Sequence, residues 1–123
     1  MGHRVLVVED DRVMAKLETS ALQRAGIDTL MANTATQALE LAATEEFDLV
    51  VLDLFLPDGD GVAICSQLRA FNAVPVLMVS CLEDDYGQPL TDFADGPHMF
   101  LAKPFSMHDF VERVRGLLEG GPA

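Results

Sequence analysis

One apolar segment that ends on a carboxylate constrains this chain more than any other feature of its sequence. Residues 49–52 read Leu-Val-Val-Leu, which has the length and the β-branched content of a strand buried on both faces. Asp53 follows directly, and Pro57 with the aspartate and glycine residues of 58–61 then predicts a turn that leads into a helix. We therefore expect the carboxylate of Asp53 to lie at the carboxyl end of a buried strand.

Segments of strand length alternate along the chain with segments of helical periodicity. The predicted strands are 4–8, 28–32, 49–53, 74–79 and 98–102. The predicted helices follow these strands, and the last three cover residues 62–71, 90–94 and 107–119. Because crossovers between parallel strands are right-handed, this alternation predicts a three-layer α/β fold, a doubly wound five-stranded parallel sheet with helices on both faces. The polar second strand favours an edge position, which gives the strand order 2-1-3-4-5.

Capping residues predict where several of these helices begin and end. Asp11 is the expected N-cap of the first helix, and Gly26 follows its last turn. The apolar residues of this helix recur at helical spacing: Val13, Leu17, Ala21 and Leu22. The second helix begins after Asn33 or Thr34, either of which can cap it, and Ser106 is the expected N-cap of the last helix.

Net charge and length limit the kind of protein this can be. Twenty acidic and eight basic side chains give a net charge of −12, which argues against direct binding to nucleic acid or to anionic lipid. The length predicts one domain over residues 1–119, with a flexible tail or the start of a linker over 120–123. No apolar stretch approaches the about 20 residues that span a bilayer. We expect a cytoplasmic protein without a membrane partner, in which Cys65 and Cys81 are reduced.

Polar residues follow four of the five predicted strands. Glu9 and Asp10 follow the first strand, Asp53 ends the third, Ser80 ends the fourth and Lys103 follows the fifth. In a parallel sheet the carboxyl ends of all strands lie at the same edge, where ligands bind. We therefore expect these side chains to meet in one site.

The chemistry of this group of side chains points to phosphoryl transfer. Three carboxylates at close range repel one another and persist mainly where a cation holds them together. Oxygen ligands select a hard ion, so the expected cofactor is Mg²⁺, with Mn²⁺ as an alternative. With its charge offset by the metal and by Lys103, Asp53 can attack a phosphorus atom and carry the phosphoryl group. Ser80 offers a hydroxyl to one phosphoryl oxygen, and Lys103 offers a positive charge to another.

Four short motifs carry a resemblance to a known family. They are Val-Val-Glu-Asp-Asp at 7–11, Leu-Asp-Leu-Phe-Leu-Pro at 52–57 followed by Gly61, Val-Ser at 79–80 and Leu-Ala-Lys-Pro-Phe at 101–105. In order and spacing the chain resembles the receiver domain of two-component response regulators over essentially its whole length. The resemblance implies a flavodoxin-like fold and phosphorylation by a sensor histidine kinase or a histidine phosphotransfer protein. It also implies an output partner, which the sequence does not identify.

The resemblance assigns roles to individual residues of the expected site. It implies that Asp53 accepts the phosphoryl group and that Mg²⁺ is held by Asp10, Asp53 and the backbone carbonyl of Phe55. It further implies that Glu9 acts on the metal through a water molecule. Lys103 takes the place of the family's lysine, which contacts the phosphoryl group.

The resemblance also predicts a conformational switch and a restricted phosphoryl pocket. Ser80 takes the place of the switch hydroxyl, and Phe100 takes that of the rotating aromatic residue. Cys81 stands where the family usually has a very small residue, and Phe55 and Leu82 overhang the path of an attacking water. We therefore predict slow self-dephosphorylation and slow uptake from small phosphodonors.

Three other functions compete with this interpretation. A metal-dependent phosphatase would need Asp-x-Asp after the first strand, where this chain has Glu9-Asp10-Asp11, and a cap domain that this length excludes. A flavin carrier would suffer repulsion between three acids and its phosphate. A receiver-like binding module that signals without phosphorylation stays open because of Cys81. The broken segment 81–95 also leaves open whether the family's fourth helix is present.

Overall fold

A computed structural model of the protein shows a parallel sheet between two layers of helices. It describes residues 2–53, 55–56, 59–60, 67, 75–80, 98–102 and 105–120. The strands are β1 Arg4–Val8, β2 Asp28–Ala32, β3 Leu49–Asp53, β4 Phe55–Leu56, β5 Gly59–Asp60, β6 Val76–Ser80 and β7 His98–Ala102. The helices in the described ranges are α1 Arg12–Arg24, α2 Ala35–Thr44 and α3 Met107–Gly120.

The main sheet contains five parallel strands in the order β2-β1-β3-β6-β7. This confirms the predicted order, in which β6 and β7 are the fourth and fifth strands. Strand β3 is buried along its whole length, whereas β2 is partly exposed and forms an edge. The apolar character of β3 and the polar character of β2 thus agree with their central and edge places in the sheet.

Two hydrophobic clusters lie on opposite faces of this sheet. Alternate residues of β1 point to opposite sides, so Leu6 and Val8 pack with the small alanines of α2. Val5 and Val7 belong to the other cluster, together with residues of α1 and α3 that include Leu22, Phe110 and Val114. The sheet with helices on both faces is the predicted three-layer arrangement.

Helix α1 is capped as predicted, but it buries only part of its apolar set. The side chain of Asp11 accepts hydrogen bonds from the main-chain N–H groups of Val13 and Met14. Val13 is 71% exposed and Leu17 is 49% exposed. The buried residues of this helix are Ala15, Glu18, Thr19 and Leu22, so of the predicted apolar set only Leu22 is buried. Small Ala15 and Thr19 allow close packing of the helix on the sheet, which leaves Val13 and Leu17 outside.

Several boundaries differ slightly from the prediction. Strand β6 begins after Pro75, which lacks the N–H that a ladder position needs. Residues 55–56 and 59–60 form a short antiparallel hairpin where only a turn was predicted. Helix α3 extends one residue further than predicted, to Gly120. The predicted helices at 62–71 and 90–94 lie outside the described residues, apart from Gln67, which is helical.

Within the described ranges, the helices are too short or too polar to cross a membrane.

Candidate functional site

Three carboxylates meet where β1 and β3 end. One carboxylate oxygen of Glu9, one of Asp10 and one of Asp53 all lie within 4.8 Å of one another. Val8 pairs with Leu52 in the parallel register of β1 and β3, so the residues that follow each partner emerge side by side. Glu9 and Asp53 are buried, at 2% and 5% exposed, whereas Asp10 is open to solvent. We refer to these three residues as the acidic trio.

Hydrogen bonds to neighbouring elements hold the loop that carries Glu9 and Asp10. The N–H of Glu9 donates to the carbonyl of Ala32 at 3.0 Å. The side-chain amide of Asn33 donates to the carbonyl of Glu9, also at 3.0 Å. The N–H of Asp11 donates to the carboxylate of Glu9 at 3.3 Å. The backbone of Glu9 is thus fixed by Ala32 and Asn33, and its carboxylate by Asp11 of the same loop.

The donor chemistry of the acidic trio fits a hard divalent cation. All three donors are carboxylate oxygens, which suit Mg²⁺, Ca²⁺ or Mn²⁺ rather than a metal that prefers sulfur. Two of the carboxylates are buried, where mutual repulsion is weakly screened and a positive charge is correspondingly effective. The exposed Asp10 leaves one side of the trio open to solvent, so an ion and its remaining water ligands can enter.

The backbone register brings Ser80 to the same edge of the sheet. Asp53 pairs with Val79, so Ser80 lies one residue beyond Asp53 along the neighbouring strand. Ser80 in turn pairs with Ala102, the last residue of β7. Lys103 is the next residue of the chain and lies outside the described residues.

The remaining predicted site residues are described in part or not at all. Phe55 belongs to the hairpin strand β4, two residues after Asp53, and its backbone alone is described. The backbone of Phe100 pairs with Met78 in the middle of β7 and β6. Cys81 and Leu82 lie outside the described residues.

Sequence reasoning missed an exposed apolar patch on α1, the helix that follows Glu9 and Asp10 in the chain. It consists of Val13 and Leu17 on α1 and Met107 at the start of α3, which line a groove of about 510 Å³. Three cationic side chains also line the groove: Arg12, Lys16 and Arg24. We refer to this surface as the α1 patch. The basic residues that flank the apolar positions of α1 could have indicated this surface in the sequence. The periodicity of those apolar positions predicted a helix but not which face of it is exposed.

The sequence matches one family over nearly its full length. A profile described as the response regulator receiver domain matches residues 5–115. The alkaline phosphatase synthesis transcriptional regulatory protein PhoP of Bacillus subtilis is 34% identical over 119 residues, which cover 96% of this chain and 49% of that protein. The DNA-binding response regulator MtrA of Mycobacterium tuberculosis is 37% identical over 118 residues, which cover 96% and 51% of the two chains. The chain thus spans about half the length of the curated relatives it matches.

Solved structures agree in fold with this chain. The receiver domain of the Francisella response regulator 1452 superposes with a TM-score of 0.79 at 32% identity, covering 95% of this chain and 97% of that one. The BeF3-activated receiver domain of DrrB superposes with a TM-score of 0.77 at 27% identity, covering 97% and 99% of the two chains.

Proposed function

Because this chain belongs to the response regulator receiver domain family of two-component signal transduction, we propose that Asp53 is its phosphoacceptor. The observation that carries this proposal is the position of the Asp53 carboxylate, which ends a fully buried strand within 4.8 Å of two further carboxylates. Burying a carboxylate in such a place is costly unless hydrogen bonds or a cation offset its charge, and carboxylates of this kind occur often at functional sites. The regulatory activity of the domain would then depend on the phosphorylation state of one residue.

The proposed reaction transfers a phosphoryl group from a phosphohistidine to Asp53. A carboxylate oxygen of Asp53 attacks the phosphorus atom in line with the phosphorus–nitrogen bond, which breaks as the new phosphorus–oxygen bond forms. The electron pair of the broken bond returns to the imidazole nitrogen, and the product on this chain is an acyl phosphate. Burial of the Asp53 backbone within β3 holds the attacking oxygen in a fixed position.

We propose that Asp10 and Asp53 hold Mg²⁺ directly, with the carbonyl of Phe55 as a third ligand and Glu9 acting through water. When bound, the ion supplies positive charge that offsets the carboxylates and the phosphoryl oxygens. The all-oxygen composition of the acidic trio supports this assignment, and Mn²⁺ is an alternative with similar ligand preferences.

Ser80 and Lys103 complete the proposed site from the neighbouring strands. The register that places Ser80 one residue beyond Asp53 supports a hydrogen bond from its hydroxyl to a phosphoryl oxygen. Lys103, which follows the last residue of β7, would contribute a positive charge. Phe100 lies in the same strand as Ala102, so a movement of Ser80 can be transmitted to it through β7. Phe100 is the residue we propose to rotate.

The proposed phosphodonor is a sensor histidine kinase or a histidine phosphotransfer protein. A donor protein must cover the surface around Asp53, and the α1 patch begins at Arg12, two residues after Asp10 in the chain. Exposed apolar side chains surrounded by cations suit an acidic amphipathic partner, which supports a protein donor. We place this exchange in the cytoplasm.

The output partner lies beyond what this chain contains. Relatives that are named as DNA-binding or transcriptional regulators are about twice as long as this chain. With a net charge of −12, this domain itself is a poor ligand for DNA, so any such output would come from another domain or protein.

Intact-mass measurement tests the phosphoacceptor directly. Incubation with Mg²⁺ and acetyl phosphate should add the mass of one phosphoryl group to the unmodified chain, and Asp53→Asn should abolish the gain. Asp28→Asn is the matched control, because Asp28 is an exposed aspartate at the opposite end of the sheet. Failure of the unmodified chain to gain mass from both acetyl phosphate and a phosphorylated kinase would favour a module that signals without phosphorylation.

A further inference from the structure

We propose that Asn33 is a positioning residue for the divalent-cation site, because it clamps the main chain between Glu9 and Asp10 onto the start of α2. Asn33 contributes no atom to the acidic trio. Its side-chain amide donates to the carbonyl of Glu9 at 3.0 Å. This inference rests on the cation site of the proposed function and adds to it a residue from a different loop.

The bond from Asn33 acts on the peptide that joins Glu9 to Asp10. The carbonyl of Glu9 and the N–H of Asp10 belong to the same planar group, so an anchor on that oxygen restricts the backbone torsions on either side. These torsions set the direction in which the carboxylate of Asp10 leaves the chain. Asp10 is exposed and is the least buried member of the acidic trio. It therefore depends most on its backbone for orientation.

Asn33 is itself held by the first turn of α2. Its N–H donates to the side-chain oxygen of Gln37 at 2.8 Å, while the N–H of Gln37 donates to the hydroxyl of Thr34 at 3.1 Å. Thr34 is the N-cap of α2 and Gln37 is its third residue, so the pair resembles a capping box. Gln37, however, reaches the residue before the cap rather than the cap itself. The helix terminus thereby fixes Asn33, and Asn33 fixes the loop that carries Glu9 and Asp10.

The polarity of the contact allows only one orientation of the Asn33 amide. A main-chain carbonyl can only accept, so the nitrogen of the Asn33 side chain must face Glu9. Without this donor, the carboxylate of Asp10 would sample more orientations. Binding of the cation would then cost more conformational entropy, because it must fix one of them. Some groups orient metal ligands without binding the metal themselves, and their removal lowers the affinity for the metal.

Calorimetric titration of the metal-free protein with Mg²⁺ tests the proposal. Asn33→Ala should weaken Mg²⁺ binding by about three- to tenfold, the equivalent of losing one hydrogen bond of ordinary strength. The rate of phosphorylation by acetyl phosphate should fall at low Mg²⁺ and recover at saturating Mg²⁺. Because Mg²⁺ also stabilises the folded state, circular dichroism of the metal-free variant, which should match the unmodified chain, separates weaker binding from a loss of structure.

Gln23→Ala is the matched control, because it also removes one amide donor. The side chain of Gln23 donates to the hydroxyl of Thr29 at 2.9 Å, near the end of α1 that is remote from the acidic trio. Its Mg²⁺ affinity should equal that of the unmodified chain. Equal Mg²⁺ affinity of Asn33→Ala and the unmodified chain, or an equal loss in both variants, overturns the positioning role. If the unmodified chain binds no Mg²⁺, the cation site of the proposed function fails and the inference fails with it.

Discussion

Asp53 and Val79 are direct partners in the parallel register of β3 and β6. This pairing places Ser80 one residue beyond Asp53 at the carboxyl edge of the sheet, and Ser80 is paired in turn with Ala102. We predict that a change at Asp53 is transmitted through β6 to β7.

We predict that a phosphoryl mimic at Asp53 alters both the site and strand β7. Beryllofluoride with Mg²⁺ should shift amide resonances of residues 98–102, because Ser80 moves toward the mimic and Phe100 turns inward. Ser80→Ala should remove the shifts in β7 and retain those around Asp53. Two-dimensional NMR of labelled protein measures both sets of resonances.

Thr44→Ala provides the control for loss of a hydroxyl. Thr44 donates to the carbonyl of Glu40 near the end of α2, away from β6 and β7. When the phosphoryl mimic is added, the amide resonances of Thr44→Ala should shift as they do in the unmodified chain. Shifts confined to the neighbours of Asp53 in the unmodified chain would contradict the switch.

Repulsion within the acidic trio should lower the unfolding free energy of the metal-free protein. Without metal, Asp53→Asn should raise the unfolding free energy by about 1 to 2 kcal/mol, because it removes one buried charge from the cluster and keeps the side-chain shape. Mg²⁺ well above its dissociation constant should stabilise the unmodified chain by about 1 to 3 kcal/mol. Thermal unfolding with and without Mg²⁺ tests both statements.

Asp28→Asn should behave like the unmodified chain in these unfolding experiments, since Asp28 lies outside the trio and is exposed. A melting temperature of the unmodified chain that does not respond to Mg²⁺ would count against the cation site.

The acyl phosphate should be long-lived. Phe55 and Leu82 are apolar and cannot orient a water for attack on phosphorus, so we expect slow spontaneous loss of phosphate. The double substitution Phe55→Asn with Leu82→Gln should shorten the half-life, as measured by intact mass over time. Rapid loss from the unmodified chain, or no acceleration in the double variant, would refute this prediction without affecting the family assignment.

Two glycines should respond with opposite signs to replacement by alanine. Gly26 has a φ of 83°, a left-handed conformation that alanine adopts at a cost of about 1 kcal/mol. Gly116 lies inside α3, and nothing lies within 4 Å of a Cβ built there. Gly116→Ala should therefore stabilise the protein by about 0.5 to 1 kcal/mol. Chemical denaturation of both variants gives the comparison, and a stabilising Gly26→Ala would contradict the conformational argument.

Local patterns in the sequence determined the order and the limits of most elements. The bounds of β1, β2 and β7 agree with the prediction, as do the N-cap of α1 and the choice of β2 as an edge. Periodicity, capping and turn residues act within one element, so they can be recognised from adjacent residues. The parallel alternation then predicted that Glu9, Asp10 and Asp53 would meet at one edge.

Only the tertiary structure decided how the elements face one another. It exposes Val13 and Leu17 and packs the stripe that includes Ala15 onto the sheet, although periodicity gave no reason to choose between these faces. It also joins Asn33 to Glu9 across a separation of 24 residues. Contacts of this kind depend on strand register and helix orientation, which arise from packing between distant segments. The sequence by itself therefore determined the fold and the members of the acidic trio, and tertiary packing decided the exposed face of α1 and the anchor on Glu9.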